Sequence, residues 1–321
     1  VNAPPARISI AMCTCNGAAH LGEQLESIRI QSRQPDELVV FDDGSTDDSA
    51  AIVDRFRDSV SFSVRAGTNP QQLGPAANFG RAIAACTGDV IVLCDQDDIW
   101  LPEKLTAIAA EFTKNSGLAA TFSDAEVCGA NGEPLGYRLW NSVGFTPSRM
   151  YRLMNGHAFE VLLRQNMISG CTLAFASRFR PMVLPIGDGW MHDGWIGLIL
   201  AAVGKITAIE RPLVRYRQHA AQSVGALRRS LYQQYLNAKK MDAGVFDAHA
   251  NMYQSARDRM TSLAPDALLR QVDDKIRHFR NRAAIHSGRK NRYSGILGES
   301  LSCRYMRYSM GWKSLAQDLF L

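Results

Sequence analysis

The chain has 321 residues, 46% hydrophobic and 21% charged, which is enough apolar material for a packed core and excludes a mainly disordered protein. Twelve Pro and 25 Gly exclude a collagen-like or low-complexity chain. The formal net charge of +5 is unevenly held: Val1–Gly225 carries −4 and Ala226–Leu321 carries +9. That break sets two expected regions, 1–225 and 226–321.

The strongest apolar run, Trp195 to Val203, is about half of the ~20 residues a membrane span needs. Val1 to Arg7 has no apolar stretch of the kind a secretory signal carries. The seven cysteines are odd in number and never spaced C-x-x-C, so buried thiols in a reduced, cytoplasmic protein are expected rather than disulfides or zinc.

In chain order, residues 7–13 read as a buried strand and Leu21–Ile30 as a helix. Glu37–Phe41 is a second strand, followed by a helix opened by Asp47 or Asp48. Ser61–Val64 is a candidate third strand. Pro75–Cys86 reads as a helix, Asp89–Cys94 as a strongly apolar strand, and Pro102 opens a helix through Leu105, Ile108 and Phe112. Strand–helix alternation with short connections predicts a mostly parallel sheet covered by helices. From Ala226 onward the pattern is helical, with a looser stretch at Ser287–Gly298. Trp312, Leu315, Leu319 and Phe320 form an apolar stripe expected to pack on the core, with a membrane surface as the alternative.

In such sheets ligands bind at the carboxyl ends of strands. Those ends here are Thr14-Cys15-Asn16-Gly17, Asp42-Asp43-Gly44-Ser45 and Asp95-Gln96-Asp97-Asp98. Clustered carboxylates repel unless a cation lies between them, and hard oxygen ligands suit Mg²⁺ or Mn²⁺. Turn and capping aspartates are the bland alternative, yet a cap needs one Asp, not three. Trp190-Met191-His192-Asp193-Gly194-Trp195 precedes an apolar helix. Asp193 could simply cap it, but tryptophans beside a carboxylate also suit a sugar-binding cleft. Tyr216-Arg217-Gln218-His219 ends a strand, where His219 could serve as a ligand. Eight basic residues lie between Arg270 and Arg292, against Asp273 and Asp274. They read as a solvated helix face or as an attraction for anionic lipid headgroups, with no nucleic-acid motif beside them.

The order Thr14-x-Asn16-Gly17, Asp42-Asp43-Gly44-Ser45-Thr46-Asp47, Gly74-Pro75-Ala76-x-Asn78 and Asp95-Gln96-Asp97-Asp98-Ile99-Trp100 resembles glycosyltransferase family 2. The resemblance covers roughly residues 7–225. It implies the GT-A fold, an α/β Rossmann-like, mostly parallel sheet flanked by helices, with the C-terminal helical region as an appendage. It implies an inverting sugar transfer from a nucleotide-sugar donor. Asp43 and Asn16 match the nucleotide-base site, with Thr14, Asn78 and Asp95 also placed on the nucleotide. Asp95 and Asp97 match the D-x-D metal motif for Mn or Mg, completed by His219. Gly170 matches the loop between donor and acceptor, beside His192, Trp190 and Trp195. Asp193 matches the general base.

The Asp-Gln-Asp-Asp-Ile-Trp, Met-His-Asp-Gly-Trp and Tyr-Arg-Gln-His combination is similar to bacterial rhamnosyltransferase-like members that build O-antigen or capsule. This implies a dTDP-L-rhamnose donor, with UDP- or GDP-sugars next, and a saccharide or lipid-linked saccharide acceptor. Gly194 replaces an aromatic residue common in those members, which enlarges the site. No Gln-x-x-Arg-Trp is present, unlike processive synthases. The expected location is cytoplasmic, with peripheral contact between the basic C-terminal helices and an anionic membrane. A Mg-dependent phosphohydrolase and a non-catalytic sugar-binding module are the rival readings. The absence of G-x-G-x-x-G after the first strand disfavours a dinucleotide oxidoreductase.

Overall fold

Val90-Ile91-Val92-Leu93-Cys94 is apolar at every position, which suits a strand buried on both faces. It is one such strand at the centre of a nine-stranded sheet in the computed structural model, which describes residues 6–219, 236 and 239–320. The strands are β1 (Ile8–Thr14), β2 (Glu37–Asp42), β3 (Ser63–Thr68), β4 (Val90–Cys94), β5 (Ile99–Trp100), β6 (Leu118–Cys128), β7 (Pro134–Arg138), β8 (Leu173–Ala176) and β9 (Lys205–Arg217). Their order is β3-β2-β1-β4-β8-β6-β9-β5, with β7 on β6. β1 to β4 are parallel, β8 runs antiparallel to both β4 and β6, and β6 and β9 are parallel.

The helices that set the site are α1 (Ala18–Arg29), α2 (Ser49–Arg57), α3 (Pro75–Ala85), α4 (Lys104–Lys114) and α5 (His192–Val203). The α/β class and the helical C-terminal region are as expected from the sequence. Residues 220–235, where the appendage is expected to begin, lie outside the described residues.

The chain divides into two compact units. The first comprises Val1–Ala158, Met167–Ile186 and Met191–Leu227 and holds the whole sheet. The second takes Arg228–Leu321 together with Phe159–Asn166 and Gly187–Trp190, two short pieces of sequence that charge and composition do not set apart. Its helices are α6 (Ala243–Met260), α7 (Asp266–His286), α8 (Arg292–Leu301), α9 (Arg304–Tyr308) and α10 (Trp312–Phe320).

Within the first unit, register decides which side chains meet. Thr14 of β1 pairs with Asp42 of β2, and Met12 pairs with Cys94 of β4. The ends Cys15–Gly17, Asp43–Ser45 and Asp95–Asp98 therefore emerge at one edge of the sheet. Cys128 of β6 pairs with Arg217 of β9. This brings the distant segment Arg217–His219 to the same edge.

Within the second unit, α6 buries Phe246, Ala250, Tyr253, Ala256 and Met260 at helical spacing. α7 buries Leu269, Val272, Ile276, Phe279 and Ala283, and the two helices pack together. Two of the eight basic residues of the Arg270–Arg292 stretch also turn inward. Lys275 Nζ donates to the Leu163 and Arg164 carbonyls, and the Arg282 guanidinium grips Asp318. That stretch is thus not one solvated face. The apolar stripe of α10 differs too: Ser314, Gln317 and Asp318 are its buried residues, while Trp312 and Phe320 face solvent.

All seven cysteines are free thiols, and Cys13, Cys86, Cys94, Cys128 and Cys171 are buried. No helix among the described residues is long and apolar enough to cross a membrane.

Candidate active site

The ends of β1 and β2 are laced together by short polar side chains. Thr14 Oγ1 donates to Asp42 Oδ2 at 2.8 Å, and Ser45 Oγ donates to the same oxygen at 2.5 Å. Asn16 sits at φ 48°, in the left-handed region that Asn tolerates better than most residues. That turn lets its Oδ1 accept from the Thr46 N–H at 2.8 Å. Asp43 is buried and organises the loop before α3. Its carboxylate accepts from Asn69 Nδ2 at 2.7 Å and from the Leu73 and Gly74 N–H groups at 2.8 Å each. Gly74 has φ 82°, a conformation costly for any residue with a Cβ. Asn78 is buried and spans Asn69 and the Phe41 carbonyl.

Thr14 and Asn78, expected on the nucleotide, are therefore buried struts whose polar groups are spent inside the protein. Asp43 and Asn16 stand at the strand edge, each with acceptor capacity beyond the bonds named.

The acidic cluster follows β4. Gln96 turns back toward β1: its Oε1 accepts from the Cys15 N–H at 2.8 Å and its Nε2 donates to the Cys15 carbonyl at 3.1 Å. Asp97 Oδ2 lies 2.8 Å from His219 Nε2, uniting two segments 122 residues apart. Arg217 makes that meeting possible. Its N–H donates to Asp98 Oδ1 (3.0 Å), its Nε to the Asp97 carbonyl (2.7 Å), and its Nη1 to the Ala130 carbonyl (2.6 Å). Its Nη2 meets Glu23 at 2.5 Å. His20 stacks at a tilt beside His219, with ring centroids 4.8 Å apart.

Asp95, Asp98 and Cys171 offer ligand atoms within 4.8 Å of one another. Burial, then the charges of Asp98, Asp97 and Asp193, push the Asp95 carboxyl well above the usual carboxylate range. Burial and Asp97 push Asp98 up to about 7. Asp98 Oδ2 is buried with no hydrogen-bond partner among the described residues. Crowded carboxylates repel unless a cation lies between them. The oxygens of Asp95 and Asp98 suit Mg²⁺ or Mn²⁺, while the third donor of that group is the Cys171 thiol, and Asp97 with His219 meets as a separate carboxylate–imidazole pair.

Lys104, in the first turn of α4, is fully buried beside this cluster. Its ammonium lies 3.5 Å from the Trp100 ring centroid and donates to the Cys171 carbonyl. Burial lowers its pKa to about 8. The sequence reading passed over it, although a signal exists: a lysine in a helix's first turn opposes the helix dipole. Arg217 and Gln96 were also left outside the expected site, and Asp98 was expected in the acidic cluster but not in the D-x-D pair.

Asp193 lies in the first turn of α5, half-buried, and Oδ1 accepts from its neighbour's N–H, Gly194, at 2.5 Å. It is close enough to Asp95 to raise that group's pKa, so the structure brings it to the acidic cluster. His192 stacks on Phe79, with centroids 3.8 Å apart. Burial drives its pKa down to about 3, which keeps it neutral, and neither ring nitrogen has a hydrogen-bond partner among the described residues. A Cβ at Gly170 would collide with its imidazole, so that loop needs glycine.

The two tryptophans differ from the expectation of a sugar-stacking pair. Trp195 is in the core and its indole N–H donates to the Val183 carbonyl at 2.7 Å. Trp190 belongs to the second unit, where it packs edge-on against Tyr253 and donates to the Met252 carbonyl at 2.8 Å. Buried indoles seek a partner for the N–H, and both have found one in the protein.

Comparison with known proteins bears on the chain as a whole. Residues 9–164 match the family model "Glycosyl transferase family 2". An uncharacterized glycosyltransferase of Nostoc sp. is 26% identical over 225 residues, which cover 68% of this chain and 66% of that protein. The chain spans about half to two thirds of the length of the first curated relatives it matches. The crystal structure of S. aureus TarS 1-349 in complex with UDP-GlcNAc superposes with a TM-score of 0.57 at 16% identity, covering 85% of this chain and 88% of that one. The mannosyltransferase PcManGT from Pyrobaculum calidifontis, in complex with GDP-Man and Mn²⁺, gives 0.52 at 16% identity, covering 93% and 76%. At such identities the two structures bear on the fold, and it is the fold of glycosyltransferases.

Proposed function

Because residues 9–164 match the family model "Glycosyl transferase family 2", we propose that this chain transfers a sugar from a nucleoside-diphospho-sugar to an acceptor hydroxyl, with inversion at the anomeric carbon. The observation that carries this reading is the acidic cluster itself. Asp95, Asp97, Asp98 and Asp193 converge from two distant segments; the one buried ammonium beside them among the described residues, Lys104, does not offset the burial that holds Asp95 protonated, and Asp98 Oδ2 has no hydrogen-bond partner among the described residues.

Asp97, His219 and Asp95 would hold the divalent cation. When bound, that ion supplies positive charge to the donor diphosphate as it departs. Asp43 and Asn16 line the strand edge where a nucleotide base would lie. Arg217 and Gln96 act through others: they position Asp97, Asp98 and the β1 turn. His192, neutral and buried with ring nitrogens that have no partner among the described residues, would line the donor–acceptor loop beside Gly170 in this reading. Asp193 takes the acceptor proton. An acceptor hydroxyl is far too weak an acid to ionise near neutral pH, so it must lose that proton as it attacks. A carboxylate opposite the leaving group serves an inverting displacement, as it does in inverting sugar hydrolysis.

The donor is a nucleotide sugar. The motif combination Asp-Gln-Asp-Asp-Ile-Trp, Met-His-Asp-Gly-Trp and Tyr-Arg-Gln-His supports dTDP-L-rhamnose. The neighbours' UDP-GlcNAc and GDP-Man make UDP- and GDP-sugars the other donors to test. The acceptor in this reading is a saccharide or a lipid-linked saccharide of a bacterial surface polysaccharide, met on the cytoplasmic side.

The test is a panel of nucleotide sugars incubated with the protein and Mn²⁺, with product configuration read by NMR. Release of nucleoside diphosphate with an inverted anomer supports the proposal. A retained anomer would overturn the mechanism, and phosphate release from simple monoesters alone would favour the phosphohydrolase.

A further inference from the structure

Surface helices ordinarily turn their apolar side inward. α10 does so only at Leu315, half-buried against Ile285, Ile296 and Tyr305. Its fully buried side chains are Ser314, Gln317 and Asp318, because Asp318 is needed inside by Arg282, His286 and Tyr305. Its outward side carries Trp312, 72% exposed, Phe320, 80% exposed, and Leu319. α8, which packs beside it in the same unit, also leaves large apolar side chains outside. It buries Ile296 and Glu299 while Tyr293, Leu297 and Leu301, at i, i+4 and i+8, lie along one exposed face. Tyr293 is 75% and Leu301 77% exposed. Met306 and Met310, between the two helices in sequence, are exposed as well. So much large apolar surface marks a binding face.

The charges around it select the occupant. From Ser287 to Phe320 the only acidic residues are Glu299 and Asp318, and both are buried and paired. The exposed charged side chains of that stretch, Arg289, Lys290, Arg307 and Lys313, are all positive, Arg289 reaching Asp247 at 3.5 Å. A second copy of the chain would set this positive face against itself, a like-charge juxtaposition. An anionic bilayer offers an apolar layer beneath a negative surface, and Trp and Tyr favour that boundary.

We propose that the outward faces of α8 and α10, with the segment between them, dock on the surface of an anionic lipid bilayer. The apolar side chains enter the headgroup boundary, and Arg289, Lys290 and Arg307 lie against the headgroups. The contact is peripheral and salt-sensitive. It takes in only the end of the Arg270–Arg292 stretch, Arg289 and Lys290, and it holds whether or not the acidic cluster of the other unit transfers sugar.

The experiment is co-sedimentation of the full chain with vesicles of neutral lipid or with about 30% anionic lipid, at low and at about 0.5 M salt. Two triple variants accompany it: Leu301→Ser with Trp312→Ser and Phe320→Ser, and Arg289→Glu with Lys290→Glu and Arg307→Glu. The wild type is expected to bind anionic vesicles, and each variant to partition roughly tenfold less, as does the wild type at high salt. Unchanged melting temperatures and an unchanged nucleotide-induced shift show that the variants remain folded and the donor site intact. No binding to anionic vesicles, or equal binding by the variants, would overturn the proposal. So would a wild-type dimer that the serine variant dissolves without any vesicle binding, which would assign the face to a second copy.

Discussion

Glu299 and Asp318 in the helical unit, and Asp95 and Asp98 at the sheet edge, are all withdrawn from water, yet they live in opposite surroundings. Glu299 accepts from His278 (2.6 Å), Asn281 (2.5 Å) and Arg304 (3.1 Å). Asp318 accepts from Arg282, His286 and Tyr305. Burial would raise both pKa values, but these donors hold them below the usual carboxylate range. At the sheet edge burial acts with other carboxylates, and the Arg217 N–H and the Lys104 ammonium do not outweigh them. A carboxylate whose bonds are all made inside the protein holds the fold together. One left short of partners is a cost to the fold that a ligand can remove.

That contrast can be broken by substitution. Asp318→Ala would strand the Arg282 guanidinium and is expected to cost about 3–5 kcal/mol of stability in a urea melt followed by circular dichroism. Asp98→Asn, by contrast, should leave stability unchanged or raise it, since an amide stays neutral where burial and Asp97 disfavour the ionised carboxyl. Asp193→Asn is expected to lower turnover roughly a hundred- to ten-thousandfold while leaving the melting temperature and the nucleotide shift in place. A proportionate loss of stability and activity would make Asp193 a structural cap.

The contrast is sharpened by pH. Asp98 keeps its proton up to about pH 7 in the folded chain, and an unfolded Asp loses it near pH 4. The folded protein therefore binds more protons between those values, so stability falls as pH rises across that window and levels off above it. Asp98→Asn should flatten that slope in metal-free protein. Glu299 and Asp318 act with the opposite sign. Their stabilisation is present above about pH 4 and lost as pH falls below it. Melting temperature against pH, wild type and Asp98→Asn in parallel, reads both. The smallest effect is Trp195→Phe, expected to cost about 1–2 kcal/mol by leaving the Val183 carbonyl unpaired, with turnover little changed.

How far the sequence reaches follows the same physics. β1, β2 and β4 were legible because strands buried on both faces must be continuously apolar. β6 escaped notice: Leu118–Cys128 is interrupted by Thr121, Ser123 and Asp124, and Thr121 and Asp124 find partners on distant segments. Thr121 accepts from Thr207 Oγ1 at 3.0 Å, and Asp124 accepts from the Trp140 N–H at 3.0 Å. The pairing of Asp97 with His219 was expected from the resemblance, but the residue that enforces it, Arg217, was read only as a basic neighbour. The tryptophans flanking Asp193 were misread because an indole's hydrogen-bond partner is not visible in one dimension. The inverted amphipathicity of α10 was hidden for a related reason: Asp318 points inward only because Arg282, His286 and Tyr305 converge there.

Electron paramagnetic resonance of Mn²⁺, titrated with the protein in the presence of UDP, GDP or dTDP, measures the central claim most directly. Free Mn²⁺ gives a sharp signal that binding removes. One Mn²⁺ bound per chain, tightened by one of the nucleotides and lost in Asp97→Ala, is the expected result. Equal binding by Asp97→Ala, or no binding with any nucleotide, would contradict the assignment of the acidic cluster as a cation and diphosphate site.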